Sequence, residues 1–557
     1  MTFSLSRRHF LRAATTSGVV LGGWSSQVLA ALVEPVRNQL FSHGVASGDP
    51  THNSVVIWTR VSAQGDTPVS WELFKDKAMQ QSIQRGSAIT NASRDHTVKI
   101  DVQNLQPGNT YYYRFHCNGV SSEPGRTRTL PSGSLDKLTL AIASCSNYSF
   151  GYFNGYEVIA ADPDVDFVLH LGDYIYEYGG ENAWSAETGR QLGREHVPPH
   201  EIVTLEDYRL RHGQYKSDHG SRLMHASHPL IPTWDDHESA NNPYMHGAQN
   251  HQPDAEGDWS ARKEASVNAY YEWMPIREPG KGMKREQLWR HFTFGDLASL
   301  TTLETRHTGR DKQIEYGEHL PNIHNAEQRD EFLKNILGNP KRNMISAEME
   351  LFFADSMADS ATQQRPWKLI GNQIPMARTH MPDIRGKVPG TANLPAEILK
   401  ELDYYIDVGA QDLPLFLDTW DGYPAARERL YQLAQHQGVS DFLVLTGDSH
   451  AFWANQLFDA SGRAMGVELG APGITSPGDF EPYSPEAARK LDQMMADHNR
   501  EVVWTDCLHR GFVKLMLSRE SAQVDFVTVD NVKDRRFKAK ILRQMSIARK
   551  NGSLTYG

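Results

Sequence analysis

Three apolar runs, each ending in acidic and imidazole side chains, constrain this chain more than any other feature. Val165-Asp166-Phe167-Val168-Leu169-His170-Leu171 leads into Gly172-Asp173-Tyr174-Ile175-Tyr176. Pro229-Leu230-Ile231-Pro232-Thr233 leads into Trp234-Asp235-Asp236-His237-Glu238, and Phe442-Leu443-Val444-Leu445-Thr446 into Gly447-Asp448-Ser449-His450. Short apolar runs bounded by turn-forming residues read as buried strands. Polar groups at the carboxyl ends of several strands converge on one crevice. Such a crevice can hold two metal ions, and paired ions are suited to hydrolysing phosphate esters. A lone Gly-Asp is commonly a turn or a helix cap. The spacings Asp-x-x-Tyr, Asp-His-Glu and Asp-x-His, each after a strand, point jointly to ligands.

At 557 residues the chain is longer than one core usually supports, so two domains are expected. Residues 38–131 read as an all-β unit. Ser54–Arg60, Val69–Leu73, His96–Asp101 and Thr110–Phe115 alternate as strands, and Leu105-Gln106-Pro107-Gly108-Asn109 turns into the last. Their spacing predicts a β-sandwich of fibronectin or immunoglobulin type. Leu130-Pro131-Ser132-Gly133-Ser134 is the expected linker. From 135 to 530, strand-like runs alternate with helical stretches such as Ser346–Ser356 and Ala425–His436, which predicts an α+β or α/β layered domain. Arg194–His251 is histidine-rich and lacks periodicity, and is expected to form loops around a site. Residues 531–557 are basic. Phe537, Ile541, Leu542 and Ile547 predict an amphipathic helix there.

The N-terminus reads as a targeting segment. Ser6-Arg7-Arg8-His9-Phe10-Leu11-Arg12 has the twin-arginine pattern, a weakly apolar stretch follows, and Val28-Leu29-Ala30 offers a cleavage site, giving a signal over 1–30. The expected partner is the twin-arginine export machinery, and the expected location is periplasmic or secreted. No transmembrane segment is expected. A formal net charge of −11 argues against nucleic-acid binding, which needs a basic footprint. Three cysteines, Cys117, Cys145 and Cys507, leave at least one thiol unpaired. Cys145 follows the apolar run Leu138–Ala143 and is read as a metal ligand.

The ligands divide by hardness. Asp173, Asp236 and Asp448 offer carboxylates to a hard divalent ion. Tyr176 offers a phenolate, which suits Fe(III), and Cys145 and His450 complete a ferric set, with Asp173 able to bridge both ions.

These residues carry a family resemblance. The chain resembles the bacterial alkaline phosphatase D family, a branch of the calcineurin-like metallophosphoesterases related to purple acid phosphatases. Its marks include Phe41-Ser42-His43-Gly44-Val45-Ala46-Ser47-Gly48-Asp49-Pro50, Ala143-Ser144-Cys145-Ser146-Asn147, the Asp173, Asp236 and Asp448 motifs, Leu303-Glu304-Thr305-Arg306 and Asp418-Thr419-Trp420-Asp421-Gly422-Tyr423-Pro424-Ala425. The resemblance implies an N-terminal sandwich, then a four-layer αββα metallophosphoesterase domain using Fe(III) and Ca(II). It implies Cys145, Asp173, Tyr176 and His450 around iron. Around calcium it implies Asp173, Asp236, Asp448 and Asn241. His237 stands where the wider superfamily contacts phosphate or the leaving group, and Arg306 is the further candidate for substrate. Glu304 departs from the aspartate usual in the family.

The chemistry expected is direct attack on phosphorus by a hydroxide or oxide on the metals, without a covalent phosphoenzyme. The substrate is a small-molecule or lipid phosphate ester. A phosphodiesterase or phospholipase D-type activity at the same site is the alternative within enzymes. A non-catalytic metal- or phosphate-binding protein is the alternative outside them.

Overall fold

In the computed structural model the chain is described over residues 39–180, 186–390, 394–550 and 552–557. The segment read as a twin-arginine signal, 1–30, lies outside them. The N-terminal part supplies β1 (Val45–Gly48), β2 (Val55–Arg60), β3 (Thr67–Phe74), β4 (Ser82–Thr90), β5 (Thr97–Val102), β6 (Thr110–Cys117), β7 (Val120–Ser121) and β8 (Gly125–Arg128). Four of these are the expected strands. β4 gave no signal because its isoleucines, Ile83 and Ile89, point to solvent. In β6, Tyr111, Tyr113, Phe115 and Cys117 alternate inward and meet Val55 and Ile57 of β2, Val69 and Leu73 of β3, and Val98 of β5 in one apolar cluster. β3, β4, β6, β7 and β8 form a five-stranded sheet of their own. β1, β2 and β5 instead extend the large sheet of the following region.

That region continues with β9 (Lys137–Ala143), β10 (Phe167–Leu171), β11 (Leu230–Thr233) and the short pair β12 (Pro243–Tyr244) and β13 (Gly247–Ala248). Then come β14 (Arg290–Phe294), β15 (Ala298–Thr302), β16 (Trp367–Gly371), β17 (Phe442–Thr446), β18 (Phe452–Phe458), β19 (Ala464–Gly470) and β20 (Val502–Asp506). β21 (Arg510–Ser518), β22 (Ser521–Val529), β23 (Ala539–Lys550) and β24 (Ser553–Tyr556) close the chain. The large sheet runs β24-β23-β22-β21-β9-β10-β11-β1-β2-β5, and a second runs β14-β15-β16-β17-β19-β18-β20. Residues of both sheets share one core, with Leu140, Leu169 and Ile231 on one side and Leu300, Leu369 and Leu445 on the other. Burying a side chain of this size stabilises by roughly 1.5–3 kcal/mol.

Two expectations are corrected. Among the described residues of 531–557 there is no helix: β23 and β24 are strands, with β23 paired to β22. The register of that pair skips Leu542, because Phe526 faces Arg543 and Val527 faces Ile541. The extra residue breaks the period of two, so the apolar positions mimic helical spacing. The segment 194–251 is not all loop, since it contains the helices Leu205–Lys216 and His219–Ser227. The first starts on a reciprocal cap between Thr204 and Asp207, the second on Asp218. Arg211, His212 and Lys216 are buried where an apolar stripe would normally lie, which removed the periodic signal. Among the described residues no helix is long and apolar enough to cross a membrane.

Candidate active site

β9, β10 and β11 run parallel as neighbours, so Cys145, Asp173 and the Asp235–Asp236 pair leave the sheet side by side. β17 of the facing sheet brings Asp448 and His450 to the same crevice. Two close approaches hold these strand ends together. A Cβ on Gly172 would fall on the backbone of Asp235, and one on Gly447 would fall on the Ser144 hydroxyl. The glycines of both Gly-Asp motifs are thus dictated by packing. The ligand candidates themselves carry left-handed backbones: φ is 57° at Cys145, 53° at Asp173, 62° at Asp448 and 53° at His450. Each such residue costs on the order of 1 kcal/mol or more, and strain of this kind gathers at functional sites.

Three sets of ligand atoms each fall within 4.8 Å of one another: Cys145, Asp173 and His450; Asp173, Asp236 and His237; Asp235, Asp236 and Asp448. Asp173 and Asp236 each belong to two sets, so the three make one continuous site. Tyr176 joins the first. Its hydroxyl donates to Asp173 Oδ2 at 3.0 Å and lies 3.2 Å from His450 Nε2 and 2.7 Å from the Ser476 hydroxyl. His450 Nδ1 donates to the Pro477 carbonyl at 2.8 Å, which turns Nε2 toward the crevice. Ser144 Oγ is 2.7 Å from Cys145 Sγ.

Without a cation this site is overcharged. Burial, then the charges of Asp173, Asp448 and Asp235, push the Cys145 thiol well up. Burial and Asp173 do the same to the Tyr176 phenol. Burial raises Asp173 and Asp448, and it lifts Glu238 to about 8. Asp235 is lifted to about 6 by burial, against the pull of Arg306. Asp236 is lowered, because His237 and Arg306 outweigh its burial. Burial lowers His450 to about 3. His237 is the exception: burial would lower it, but Asp236, Glu177 and Asp173 hold its proton firmly. Asp235 Oδ2 and Asp236 Oδ1 are buried and lack hydrogen-bond partners. A donor set of thiol, phenol, imidazole and crowded carboxylates with orphaned oxygens fits metal ions, whose binding displaces the protons.

Similarity to known proteins identifies the family. The family model for PhoD-like phosphatase matches residues 140–526, and the model for the N-terminal domain of PhoD-like phosphatases matches 26–131. Alkaline phosphatase D of Bacillus subtilis (strain 168) is 32% identical over 548 residues, covering 94% of this chain and 84% of that protein. A solved structure described as "Structure of PhoD" superposes with a TM-score of 0.74 at 29% identity, covering 94% of this chain and 93% of that one. The chain belongs to the PhoD-like phosphatase family. It is a phosphoric ester hydrolase, and the reading as a binding protein without turnover falls away.

In this PhoD-like phosphatase the structure gathers Cys145, Asp173, Tyr176, Asp236, Asp448 and His450, with His237 among them. His237 Nδ1 is 2.6 Å from Glu177 Oε2, its ring stacks on Tyr176 at 4.2 Å, and its Nε2 is 4.0 Å from Asp236 Oδ2. Asn241 is placed less directly. Its backbone donates to Glu177 Oε1 at 2.7 Å and its side-chain nitrogen to Gln249 Oε1. Arg306 is buried and forms an ion pair with Asp235 at 2.6 Å and Asp448 at 3.2 Å, while its Nη1 has no hydrogen-bond partner. All three cysteines are free and buried.

The sequence assigned no role to four acidic residues of this site, although Glu304 stood out as a departure from the family pattern. Asp235 binds Arg306. Glu177 orients His237 and also accepts Asn250 Nδ2. Glu238 accepts the backbone N–H groups of Asp173, Tyr174 and Asp235. Glu304 accepts those of Arg306, His307 and Thr308 and the indole N–H of Trp234. Glu177 directly follows one quoted motif and Glu238 closes another, but their roles depend on His237, Asp173 and Tyr174, which are distant from them in sequence.

Proposed function

We propose that this phosphatase works with Fe(III) and Ca(II), iron at Cys145, Asp173, Tyr176 and His450, calcium at Asp173, Asp236 and Asp448 with Asn241 as a further ligand. The observation that carries the reading is the three overlapping ligand sets, soft and phenolic at one end and all-carboxylate at the other. When bound, the ions would supply Lewis acidity and a water activated for direct attack on phosphorus. The protein's own part is orientation. Glu177 fixes the imidazole of His237 by Nδ1, leaving Nε2 to face the crevice as a donor to the phosphoryl group or the leaving oxygen. Arg306, held by Asp235 and Asp448, presents an unpaired N–H that can bind a phosphoryl oxygen.

The rest of the reading extends to organisation and location. Residues 1–30 form a twin-arginine signal, 38–131 a fibronectin-type sandwich and 135–530, joined by the C-terminal strands β23 and β24, a four-layer αββα catalytic domain. The mature enzyme acts in the periplasm or outside the cell on monoesters and diesters. Metal analysis of protein exported by its own N-terminus, with turnover of a chromogenic phosphomonoester and the matching diester, tests this. Iron and calcium in stoichiometric amounts with release of nitrophenol are expected. Zinc alone, or cytoplasmic retention, would refute it.

A further inference from the structure

We propose that a cavity between the N-terminal strands and the helix Trp259–Trp273 is an anion site apart from the metal crevice, built from Arg94, Lys99 and Arg285 and taking a doubly charged oxyanion of the phosphate type. None of these residues is among the ligand candidates of the crevice.

The cavity has a volume of about 250 Å³, and Arg94, Lys99, Tyr271, Glu272, Glu278 and Arg285 line it. Pockets for drug-sized ligands run to ~300–1,000 Å³, so this one suits a small ion. Its walls are tied together by the protein itself. Arg209 donates to the Ser93 carbonyl at 2.8 Å and grips the Glu272 carboxylate at 2.6 and 2.7 Å. That joins the turn Ala92–Arg94 to the end of the helix. Lys99 Nζ, on β5, donates to the Tyr271 carbonyl at 2.6 Å. The Tyr271 hydroxyl donates to the Arg285 carbonyl at 3.0 Å. The Tyr271 ring also gathers the cations, with the Arg285 guanidinium 5.2 Å and Lys99 Nζ 5.6 Å from its centre.

The charges inside this frame do not cancel. Glu272 is taken by Arg209 and Glu278 by Arg285 at 2.9 Å, while Glu278 reaches Lys99 only at 3.4 Å. Among the described residues Arg94 forms no ion pair. Four cations, Arg94, Lys99, Arg209 and Arg285, thus meet two carboxylates, and the surplus of two charges matches a dianion. A guanidinium cannot shed its proton, so loss of the Lys99 proton would still leave the cavity positive. A second observation concerns donors. The Lys99 side chain is only 13% exposed. Of its three N–H groups one meets the Tyr271 carbonyl, one the more distant Glu278, and the third meets no acceptor among the described residues. A buried donor left unmatched is costly, so a native fold keeps one where a ligand or water completes it. Burial lowers Lys99 to about 8 against the pull of Glu278, and Arg285 and Arg94 push the same way as burial. A tetrahedral oxyanion would accept from the free Lys99 N–H and from the Arg94 fork in charge-assisted bonds.

The test is calorimetric titration of the metal-loaded full chain with sodium sulfate at constant ionic strength near pH 8. Saturable binding is expected. Arg94→Ala, at an exposed position, should weaken it about tenfold, as for loss of a charged hydrogen-bond donor. The same variant should keep the wild-type kcat/KM on an aryl phosphate, which separates the cavity from the crevice. Sulfate carries no proton at this pH, so heats taken in buffers of different ionisation enthalpy report on the protein. Wild type should take up part of a proton on binding, because the anion restores the charge of Lys99. Lys99→Met should abolish that uptake and weaken binding as well. No sulfate binding by wild type, or equal affinity in wild type and Arg94→Ala, overturns the site. Equal proton uptake in wild type and Lys99→Met overturns the part given to Lys99. Should Lys99→Met fail to fold, since it also loses the bond to the helix end, Arg94→Ala decides alone. Inorganic phosphate and n-propylphosphonate, a stable stand-in for an esterified phosphate, are then set to compete with sulfate. Competition by both assigns the cavity to phosphate groups carried on an alcohol, competition by phosphate alone assigns it to the free ion, and competition by neither overturns the phosphate class.

Discussion

Glu304→Gln tests whether one buried side chain ties the active-site loop to the strand end that carries Asp235 and Asp236. Glu304 Oε1 accepts Trp234 Nε1 at 3.1 Å, the Arg306 N–H at 2.9 Å and the His307 N–H at 2.8 Å. Its Oε2 accepts the Thr308 N–H at 2.9 Å and the Thr308 hydroxyl at 2.6 Å. Glutamine keeps the volume and one acceptor but turns the other into a donor. The Thr308 hydroxyl can rotate to accept, but the Thr308 N–H then faces another N–H, a loss of about 1–3 kcal/mol. The three bonds at the remaining oxygen become neutral, and together they weaken by roughly 2 kcal/mol. The expected destabilisation is about 3–5 kcal/mol, read as a lower urea midpoint at constant slope. The backbone anchor of Arg306 is weakened, so kcat/KM on an aryl phosphate should fall about tenfold, mostly through KM, as for a weakened phosphate contact. A stability change under about 1 kcal/mol would show that water satisfies the loop and that the hydrogen-bond accounting is wrong. Full activity in a clearly destabilised variant would separate Glu304 from the site.

Three further outcomes follow from the same geometry. His237→Ala should lower kcat by about a hundredfold while metal content stays unchanged, with a larger loss on alkyl than on aryl esters; equal losses would make it an orienting group. The loaded protein should show a visible absorption band that Tyr176→Phe removes, whereas calcium chelation should abolish activity reversibly and leave the band; a colourless protein with stoichiometric iron would sink the ferric assignment. Lys216 is held well below the ordinary lysine range by burial, its amine 3.1 Å from His225 Nε2 and above the rings of Trp58 and Tyr174. The unfolded chain therefore binds a proton that the native state gives up, so stability should rise with pH toward the ordinary lysine value. Lys216→Met should remove that part of the slope in urea midpoints taken between pH 7 and pH 9.5, and equal slopes would refute it.

Much of the site was legible before any tertiary contact was known. A buried run followed by Gly-Asp fixes where a strand stops and where its last polar side chain points. Local chemistry also sorts the donors, because phenol and thiol favour a different ion from carboxylates. The polar-core helices and the C-terminal strands were not legible. Lys216 and His212 are buried through aromatic and imidazole neighbours from other segments, so their helix has no apolar stripe. β23 carries a bulge at Leu542 that disguises its period, and only its pairing with β22 selects the strand.

The sequence by itself determined the strand ends, the donor types and the two glycines that flank Asp173 and Asp448. Which of these ends meet was decided by the tertiary structure alone. β9, β10 and β11 are neighbours in one sheet, β17 belongs to the other, and the crevice exists because the two sheets share a core. The roles of Glu177, Asp235, Glu238, Glu304 and Arg306 were decided there too. An isolated acidic residue in a sequence reads as solvated surface. It becomes structural only when burial removes its water and leaves a particular N–H or guanidinium as its partner, and that partner is chosen by chain folding across tens of residues.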